Sequence, residues 1–308
     1  MKVTILPQNP KVGFIGFGEV GYHLSRGLKE AGIRKIFACD KYAGDPQRGR
    51  ILKHRAQEAE VEMVPTIKDL VGRSDLIFSA VWGNEALRVA REAASYVDGT
   101  KVFCDVNNTP PSIKAKGAEL LGRREARFLD VALFSVPAQD RQKAFVLVSG
   151  RGGEEFRRVM RRYGMKIRVV PGEAGRATTL KTMANIYYKG IQAVCLELAV
   201  AALKEGVQIA DLAPLVVKPV QFLPKEQELG FWITRGALHA ERKAVELESI
   251  VRAVREWGVK PIMLEATKRR LRKIAELHLT AGLKGDLKSD DYAGLVQAMA
   301  QVDSDHLE

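Results

Sequence analysis

Two short segments of this 308-residue chain combine residue types and spacings that suit chemistry on a small molecule. The first is Gly16-Phe17-Gly18-Glu19-Val20-Gly21, which has the glycine spacing of a loop that cradles phosphate groups. The second holds Lys181 and Asn185. Their spacing places both side chains on one face of a helix, so an amine and an amide can act on the same bound group. The first segment predicts a phosphate-bearing ligand, and the second predicts proton transfer to or from a substrate.

The context of the glycine run is that of a dinucleotide-binding loop. An apolar strand precedes it, an amphipathic helix follows it, and Asp40 closes the next strand. In this context Gly16 makes a tight turn, Gly18 lets the backbone approach a pyrophosphate, and Gly21 allows close packing of helix against strand. The phosphates then lie at the helix N-terminus, where unpaired N–H groups and the helix dipole favour negative charge. The run therefore predicts a site for NAD or NADP.

Asp40 bears on the choice between these two cofactors. A carboxylate at the end of the second strand accepts hydrogen bonds from the adenosine ribose and repels a 2′-phosphate, which favours NAD. Lys41, another residue expected beside the cofactor, and Arg48 follow closely in the sequence and leave NADP open.

Short apolar runs alternate with helical stretches from Lys11 to about Val170, the pattern of a parallel sheet covered on both faces. The expected strands are Val12–Ile15, Lys35–Cys39, Leu76–Ala80, Lys101–Asp105, Phe128–Val131, Phe145–Ser149 and Ile167–Val170. After Pro171 and Gly172 helical periodicity dominates. We therefore predict a Rossmann-type α/β domain with a doubly wound parallel sheet over residues 1–172. An all-α domain for substrate binding and dimerisation follows over residues 173–308.

The second half of the chain predicts three main helices. The first carries apolar residues at three- and four-residue steps from Leu180 to Ala202. The second is expected from near Gly236 to Gly258, and the third from Pro261, with a broken helix or loop over Pro214–Pro224. The first apolar stripe is longer than one small domain needs to cover, which predicts a homodimer. A monomeric mass in solution would contradict it.

Composition narrows the possible partners. The net charge is +12, but the basic residues are spread along the chain without alternating aromatic residues, so we expect no nucleic-acid partner. A positive field suits an anionic cofactor and a small carboxylate substrate. No apolar run approaches the ~18 residues of a membrane helix, so we expect no membrane partner. The three cysteines lie far apart without metal-ligand spacing, which predicts a reducing, cytoplasmic location and no metal site.

The chain resembles the β-hydroxyacid dehydrogenase superfamily, which includes 3-hydroxyisobutyrate and 6-phosphogluconate dehydrogenases. The resemblance covers nearly the whole chain, through Gly13–Gly18, Ala80–Trp82, Asp105–Thr109 and the glycine turn that leads to Lys181 and Asn185. It is most similar to a phosphogluconate-dehydrogenase-like branch with its own type of C-terminal helical domain. That further likeness lies in the stretches His239–Glu248 and Gly258–Pro261.

The resemblance implies roles for particular residues. Lys181 is implied to be the general acid/base for the substrate hydroxyl, and Asn185 to orient the substrate. Val81 and Trp82 are implied to lie along the cofactor, near its nicotinamide ring. The loop with Asn107 and Asn108 is implied to touch both nicotinamide and substrate.

Two departures from the family pattern concern the substrate. The family's Asp-x-Pro-Val-Ser-Gly-Gly loop binds the substrate carboxylate, but the corresponding run here, Asp130–Pro137, is bulkier, and Ser135 is its candidate contact. 3-Hydroxyisobutyrate and 6-phosphogluconate are therefore not the expected substrates. In addition, Ala184 replaces a hydrogen-bonding residue. His239 or Arg242 from the helical domain is a candidate to supply the missing hydrogen-bonding group. The alternative is that both are surface charges on an amphipathic helix.

The chemistry expected is hydride transfer between the carbinol carbon of a 3-hydroxy acid and nicotinamide. Arg176 is a candidate for binding the substrate carboxylate as a bidentate fork. The pKa of a free lysine, ~10.4, must fall for Lys181 to act as a base, and desolvation and the positive nicotinamide would both lower it. Decarboxylation of a 3-oxo product stays open. Two rival readings are an imine- or pyrroline-type reductase and a non-catalytic dinucleotide-binding protein.

Overall fold

The structure, a computed structural model, describes residues 6–204, 207–216, 225–256, 261–278 and 292–305. The chain forms two compact units, Met1–Lys181 and Thr182–Glu308, and each is described by itself. The division falls inside a helix, after the predicted boundary at residue 172.

The first unit is built on one eight-stranded sheet in the order β3-β2-β1-β4-β5-β6-β7-β8. Its strands are β1 Val12–Ile15, β2 Ile36–Cys39, β3 Glu62–Met63, β4 Leu76–Ser79, β5 Val102–Asp105, β6 Arg127–Leu133, β7 Phe145–Ser149 and β8 Lys166–Val169. Neighbouring strands are parallel except β6 and β7, which are antiparallel. Seven strands lie within a few residues of their predicted positions. Neither β3, which has only two residues, nor the reversal at β7 was predicted.

Helices cover both faces of this sheet, which explains why its central strands are apolar throughout. These helices are α1 Glu19–Glu30, α2 Arg48–Glu58, α3 Ile67–Arg73, α4 Ala86–Ala94, α5 Pro111–Gly122, α6 Pro137–Asp140 and α7 Gly153–Met160. Alternate residues of a strand enter separate cores: Phe14 stacks on Phe78, with ring centroids 5.1 Å apart, while Ile15 packs into the other core. The Rossmann-type sheet predicted from the sequence is confirmed.

The described part of the second unit is helical. Its helices are α8 Arg176–Lys204, which begins in the first unit, α9 Ile209–Val216, α10 Lys225–Leu238, α11 Ala240–Glu256, α12 Ile262–Glu276 and α13 Tyr292–Asp305. Apolar residues of α11 and α12, among them Leu247, Ile250 and Leu271, form its core. None of the described helices has the length and apolar character of a membrane span.

The predicted helix boundaries here were partly wrong. Gly236 lies inside α10, which ends at Leu238, and the chain turns at His239 before the next helix begins at Ala240. Pro214 stands within α9, while most of the stretch up to Pro224 lies outside the described residues, as does Gly258. Pro261 caps α12, as expected.

Candidate active site

The glycine loop lies between β1 and α1. Gly16 has a φ of +89°, and a Cβ there would be 2.4 Å from the carbonyl oxygen of Ala80. A Cβ on Gly21 would be 2.4 Å from the carbonyl oxygen of Gly16. Both positions therefore require glycine for close backbone packing. Around Gly18, the N-cap of α1, a Cβ would meet nothing within 4 Å, so the backbone there is open to a ligand. Glu19 is exposed and Val20 half-buried in the first turn of α1.

Asp40 joins this loop to the end of β2. Its carboxylate accepts hydrogen bonds from the backbone N–H of Phe17, at 2.8 Å, and of Tyr42, at 2.9 Å. The nearby cations are engaged: Lys41 Nζ lies 3.4 Å from Glu85 Oε1, and the Arg48 guanidinium lies 4.3 Å from the centre of the Tyr42 ring. Each carboxylate oxygen keeps a lone pair for a hydroxyl donor. The open Gly18, the N-terminus of α1 and Asp40 together fit a dinucleotide.

The loops after β4 and β5 lie against each other. Val81 N–H donates to Asn107 Oδ1 at 2.6 Å, and a Cβ on Gly83 would be 2.6 Å from the carbonyl oxygen of Asn108. Trp82 is 64% exposed and Asn108 is half-buried, so both can meet a ligand. The amide of Asn107 is buried and also donates to Ser79 Oγ at 2.9 Å. Its contacts therefore hold the neighbouring loop in place.

The run that corresponds to the family's substrate loop begins inside β6 and continues into the turn after it. Asp130 is fully buried within β6, which continues to Leu133, because an apolar stretch on both sides of it pairs with β7. Ser135 follows in the turn, where its Oγ accepts a hydrogen bond from the backbone N–H of Phe145 at 3.1 Å.

The predicted catalytic residues lie along the first part of α8. Arg176, its first residue, is exposed, and Lys181 and Asn185 are half-buried and one turn apart. Lys181 closes the first unit and Asn185 belongs to the second. The first turn of the helix is bonded to the buried Asp130, which was not among the predicted site residues.

His239 and Arg242 lie in the second unit, among other cationic groups. His239 is half-buried, and its Nε2 lies 3.0 Å from Arg235 Nη1. Its pKa is lowered to about 4, first because burial disfavours the charged imidazole and second because Arg242 repels it. Arg242 is exposed on α11, with its Nε 3.7 Å from Glu246 Oε1. Glu246 also pairs with Lys189 of α8, at 3.1 Å. Because its pKa lies near 4, His239 is neutral near pH 7.

A buried lysine that the sequence analysis missed lies beside this group. Lys243 is 4% exposed, and its Nζ donates to the carbonyl oxygen of Arg235. Burial, and next the positive charge of Lys189, lowers its pKa to about 6. Nothing in its sequence context separates it from the exposed Arg242 beside it.

Lys243 makes the stability of the second unit depend on pH. Its folded pKa of about 6 lies below the ordinary 10.5, so between these values the unfolded chain binds a proton that the folded chain lacks. The free energy of unfolding should therefore rise with pH, by at most ~1.4 kcal/mol per pH unit. We expect Lys243→Met to flatten the rise in melting temperature between about pH 6 and pH 8. The exposed Lys273→Met should keep the wild-type slope, and equal slopes in all three proteins would contradict the assignment.

The chain has related proteins of known sequence and structure. A family model described as NADP oxidoreductase, coenzyme F420-dependent, matches residues 11–109. An uncharacterized 28.5 kDa protein from the 7S RNA 5′ region of Methanothermus fervidus is 30% identical over 270 residues, which are 86% of this chain and 99% of the relative.

Among the described residues there is no cluster of three or more His, Cys, Asp or Glu side chains suited to a metal ion.

Three solved structures share the fold over most of their length. A conserved hypothetical protein from Sinorhizobium meliloti 1021 is 24% identical with a TM-score of 0.71, covering 95% of this chain and 96% of its own. A conserved protein of unknown function, reported as structurally similar to 3-hydroxyacid dehydrogenases, is 25% identical with a TM-score of 0.67, covering 86% and 97%. The 3-hydroxyisobutyrate dehydrogenase of Mycobacterium tuberculosis, with L-serine, is 17% identical with a TM-score of 0.70, covering 95% and 99%.

The match covers nearly the whole length of the Methanothermus protein, and the similar structures share a dehydrogenase fold. The chain therefore belongs to the β-hydroxyacid dehydrogenase superfamily and is an NAD(P)-binding oxidoreductase.

Proposed function

We propose that this protein is an NAD-dependent dehydrogenase acting on the hydroxyl group of a 3-hydroxy carboxylate, with Lys181 as general acid/base. The observation that carries the proposal is the placement of Lys181 and Asn185. They lie one turn apart on α8, and the first turn of that helix is bonded into the sheet that carries the glycine loop. An amine and an amide on one helix face suit a hydroxyl group that must lose its proton.

Each residue has a defined part in this reaction. Lys181 Nζ takes the hydroxyl proton during oxidation and returns it during reduction. Asn185 orients the same substrate through its amide, which both donates and accepts hydrogen bonds. The exposed guanidinium of Arg176 binds the carboxylate with two parallel N–H groups. Bound nicotinamide supplies the hydride acceptor.

The end of β6 favours a substrate with an apolar group on C3. The run that matches the family's Asp-x-Pro-Val-Ser-Gly-Gly carries Leu133 and Phe134 here, and Phe134 packs edge-to-face against Phe145 with ring centroids 5.9 Å apart. Both rings are partly exposed. Such a surface attracts an apolar substituent and offers little to a phosphate or a sugar chain.

The function is tested by following formation of reduced nicotinamide with 3-hydroxypropionate, 3-hydroxybutyrate and 3-hydroxy-3-phenylpropionate. Each acid is offered with NAD and with NADP. We expect turnover with NAD, fastest for an acid with an apolar substituent. No turnover of any acid with either cofactor would overturn the proposal. The expected homodimer and cytoplasmic location stay predictions.

The preference for NAD rests on Asp40 and has its own test. Asp40→Ala removes an acceptor for ribose hydroxyls and the charge that repels a 2′-phosphate, so we expect NADH to bind roughly ten- to hundred-fold more weakly. NADPH should lose much less. Dissociation constants from nicotinamide fluorescence give the comparison. Asp45→Ala, which removes an exposed carboxylate from the same connection, should affect both cofactors alike. Equal losses for NADH and NADPH in Asp40→Ala would contradict the preference.

A further inference from the structure

Lys114 of α5 is a fully buried cation next to the end of β5. Its Nζ donates to the carbonyl oxygens of Asp105, at 2.9 Å, and Asn107, at 2.8 Å. It also lies 3.0 Å from Asp105 Oδ1 and 3.6 Å from Asp130 Oδ1. One ammonium group therefore joins the end of β5, the loop after it and the middle of β6.

Asp130 carries the connection from Lys114 to the first turn of α8. Its Oδ2 accepts hydrogen bonds from the backbone N–H of Gly175, at 3.1 Å, and Thr178, at 2.8 Å. Its Oδ1 accepts one from Thr178 Oγ1 at 2.6 Å. A carboxylate in this position caps the helix and matches its dipole. Because Lys181 follows Thr178 by less than one turn, these bonds also fix the direction in which Lys181 leaves the helix.

Asn107 carries the connection in the other direction, to the cofactor loop. Its backbone N–H donates to Asp105 Oδ1 at 2.8 Å, and its side-chain Oδ1 accepts from Val81 N–H at 2.6 Å. Together with the ion pair between Lys114 and Asp130, these bonds make a path from the half-buried Val81 through the buried Asn107, Lys114 and Asp130 to Thr178, which we call the positioning chain. The whole path lies within the first unit.

We propose that the positioning chain sets the place of Lys181 relative to the cofactor loop, so that Lys114 and Asp130 are positioning residues for proton transfer. The inference rests on the proposed function, because it takes Lys181 as the acid/base. Every group between the two ends is buried and has a hydrogen-bond or ion-pair partner on both sides, so a shift at one end is passed to the other. Misplacement by about 1 Å is enough to cost roughly 10²-fold in rate.

Stability alone does not account for such a chain. A protein in which well-packed apolar residues replace a buried ion pair is often as stable as the original or more so. The buried charges here are therefore better explained by the geometry that they fix. Here the bonds connect two segments far apart in sequence, the Val81 loop and the start of α8, each of which carries part of the proposed reaction.

Thr178 offers the least disruptive test. Thr178→Val has the same shape but removes the bond to Asp130 Oδ1, Thr178→Ser keeps it, and Thr179→Val is the matched control. Thr179 lies in the same turn, but its hydroxyl bonds the carbonyl oxygen of Gly175 at 2.9 Å and does not touch Asp130. The rate constant kcat is measured with the best 3-hydroxy acid of the panel, and NADH affinity by fluorescence.

We expect Thr178→Val to lower kcat at least about tenfold with the dissociation constant of NADH unchanged. Thr178→Ser should restore kcat, and Thr179→Val should match the wild type. Unchanged kcat in Thr178→Val, no rescue by serine, or an equal loss in Thr179→Val would overturn the positioning role. If Thr178→Val does not fold, Ser149→Ala replaces it, because Ser149 Oγ bonds both Asp130 Oδ2, at 3.3 Å, and the N–H of Ala177, at 3.0 Å. Unchanged kcat in Ser149→Ala would then overturn it.

Failure of the proposed function gives a different result. If the wild-type protein turns over no acid of the panel, or if removing the amine of Lys181 leaves kcat intact, the function itself is wrong. If Lys181 is essential while Thr178→Val is fully active, only the positioning chain is wrong.

Discussion

Replacing Lys181 by methionine is expected to lower kcat for a 3-hydroxy acid by roughly 10²- to 10⁴-fold. The substitution keeps a side chain of similar length and removes the only group proposed to exchange a proton with the substrate hydroxyl. The cofactor contacts expected from the glycine loop and Asp40 are untouched, so the dissociation constant of NADH should stay the same. Stopped-flow or steady-state absorbance gives kcat, and nicotinamide fluorescence gives the affinity.

Lys181→Arg separates proton transfer from charge. Arginine keeps the positive charge and most of the length, but its guanidinium does not lose a proton in proteins. If Lys181 acts as a base, the arginine variant should be about as slow as the methionine variant. If arginine restores the rate, the lysine only attracts the anionic substrate, and its acid/base role is wrong. Near-normal turnover by Lys181→Met would remove the lysine from the mechanism altogether.

The same pair of variants addresses the rival reading as a non-catalytic nucleotide-binding protein. Such a protein would bind NADH through the same loop and turn over no substrate, and Lys181→Met would change nothing measurable. Catalysis that depends on Lys181 excludes it, whereas cofactor binding alone does not.

The parts of the fold that could be predicted are those set by local pattern. Continuous apolar runs indicated the central strands, and the glycines at 16, 18 and 21 indicated the loop. Close backbone contacts at Gly16 and Gly21 admit no side chain, while the backbone at Gly18 is left open. Helix boundaries were predicted less accurately. Gly236 lies inside α10, because the packing of that helix outweighs the low helix propensity of glycine. The reversal at β7 depends on long-range pairing, for which its own five residues carry no signal.

The supporting residues of the site could not be found in this way. Lys114 stands in an amphipathic segment beside Lys116, and nothing distinguishes the buried lysine from the exposed one in the sequence. Asp130 did have a signal, an acidic residue inside the apolar run from Phe128 to Leu133, but that signal indicates burial and not which partner is bound. A buried charge acquires its partners from elements distant in sequence, so only the three-dimensional structure identifies them.

Lys114→Met is expected to lower the free energy of unfolding by about 3–5 kcal/mol. The variant leaves two carboxyl groups, those of Asp105 and Asp130, buried without their ammonium partner. Lys116→Met, in the same helix but exposed, should change stability by less than about 0.5 kcal/mol. Urea unfolding followed by circular dichroism measures both. A loss in Lys114→Met as small as that in Lys116→Met would mean that the buried ammonium is not needed.

The pH dependence of this loss identifies its cause. Burial raises the pKa of Asp105, and Lys114 opposes that rise, so removing the ammonium should raise the pKa further. A folded state whose carboxyl group has a raised pKa binds more protons than the unfolded chain, and its stability falls as the pH rises. The deficit of Lys114→Met should therefore shrink as the pH is lowered toward the ordinary carboxyl range. A loss caused by poor packing would not change with pH.

The double variant Lys114→Met/Asp105→Asn makes the same argument without changing the solvent. Asparagine keeps the shape of Asp105 and can still accept the hydrogen bond from Asn107 N–H, but it carries no charge. If uncompensated charge causes the loss, the second substitution should recover part of it, because groups in one buried network do not contribute additively. A double variant less stable than Lys114→Met would instead show that Asp105 contributes through its shape and hydrogen bonds. Its charge would then be balanced by the backbone around it and not by Lys114.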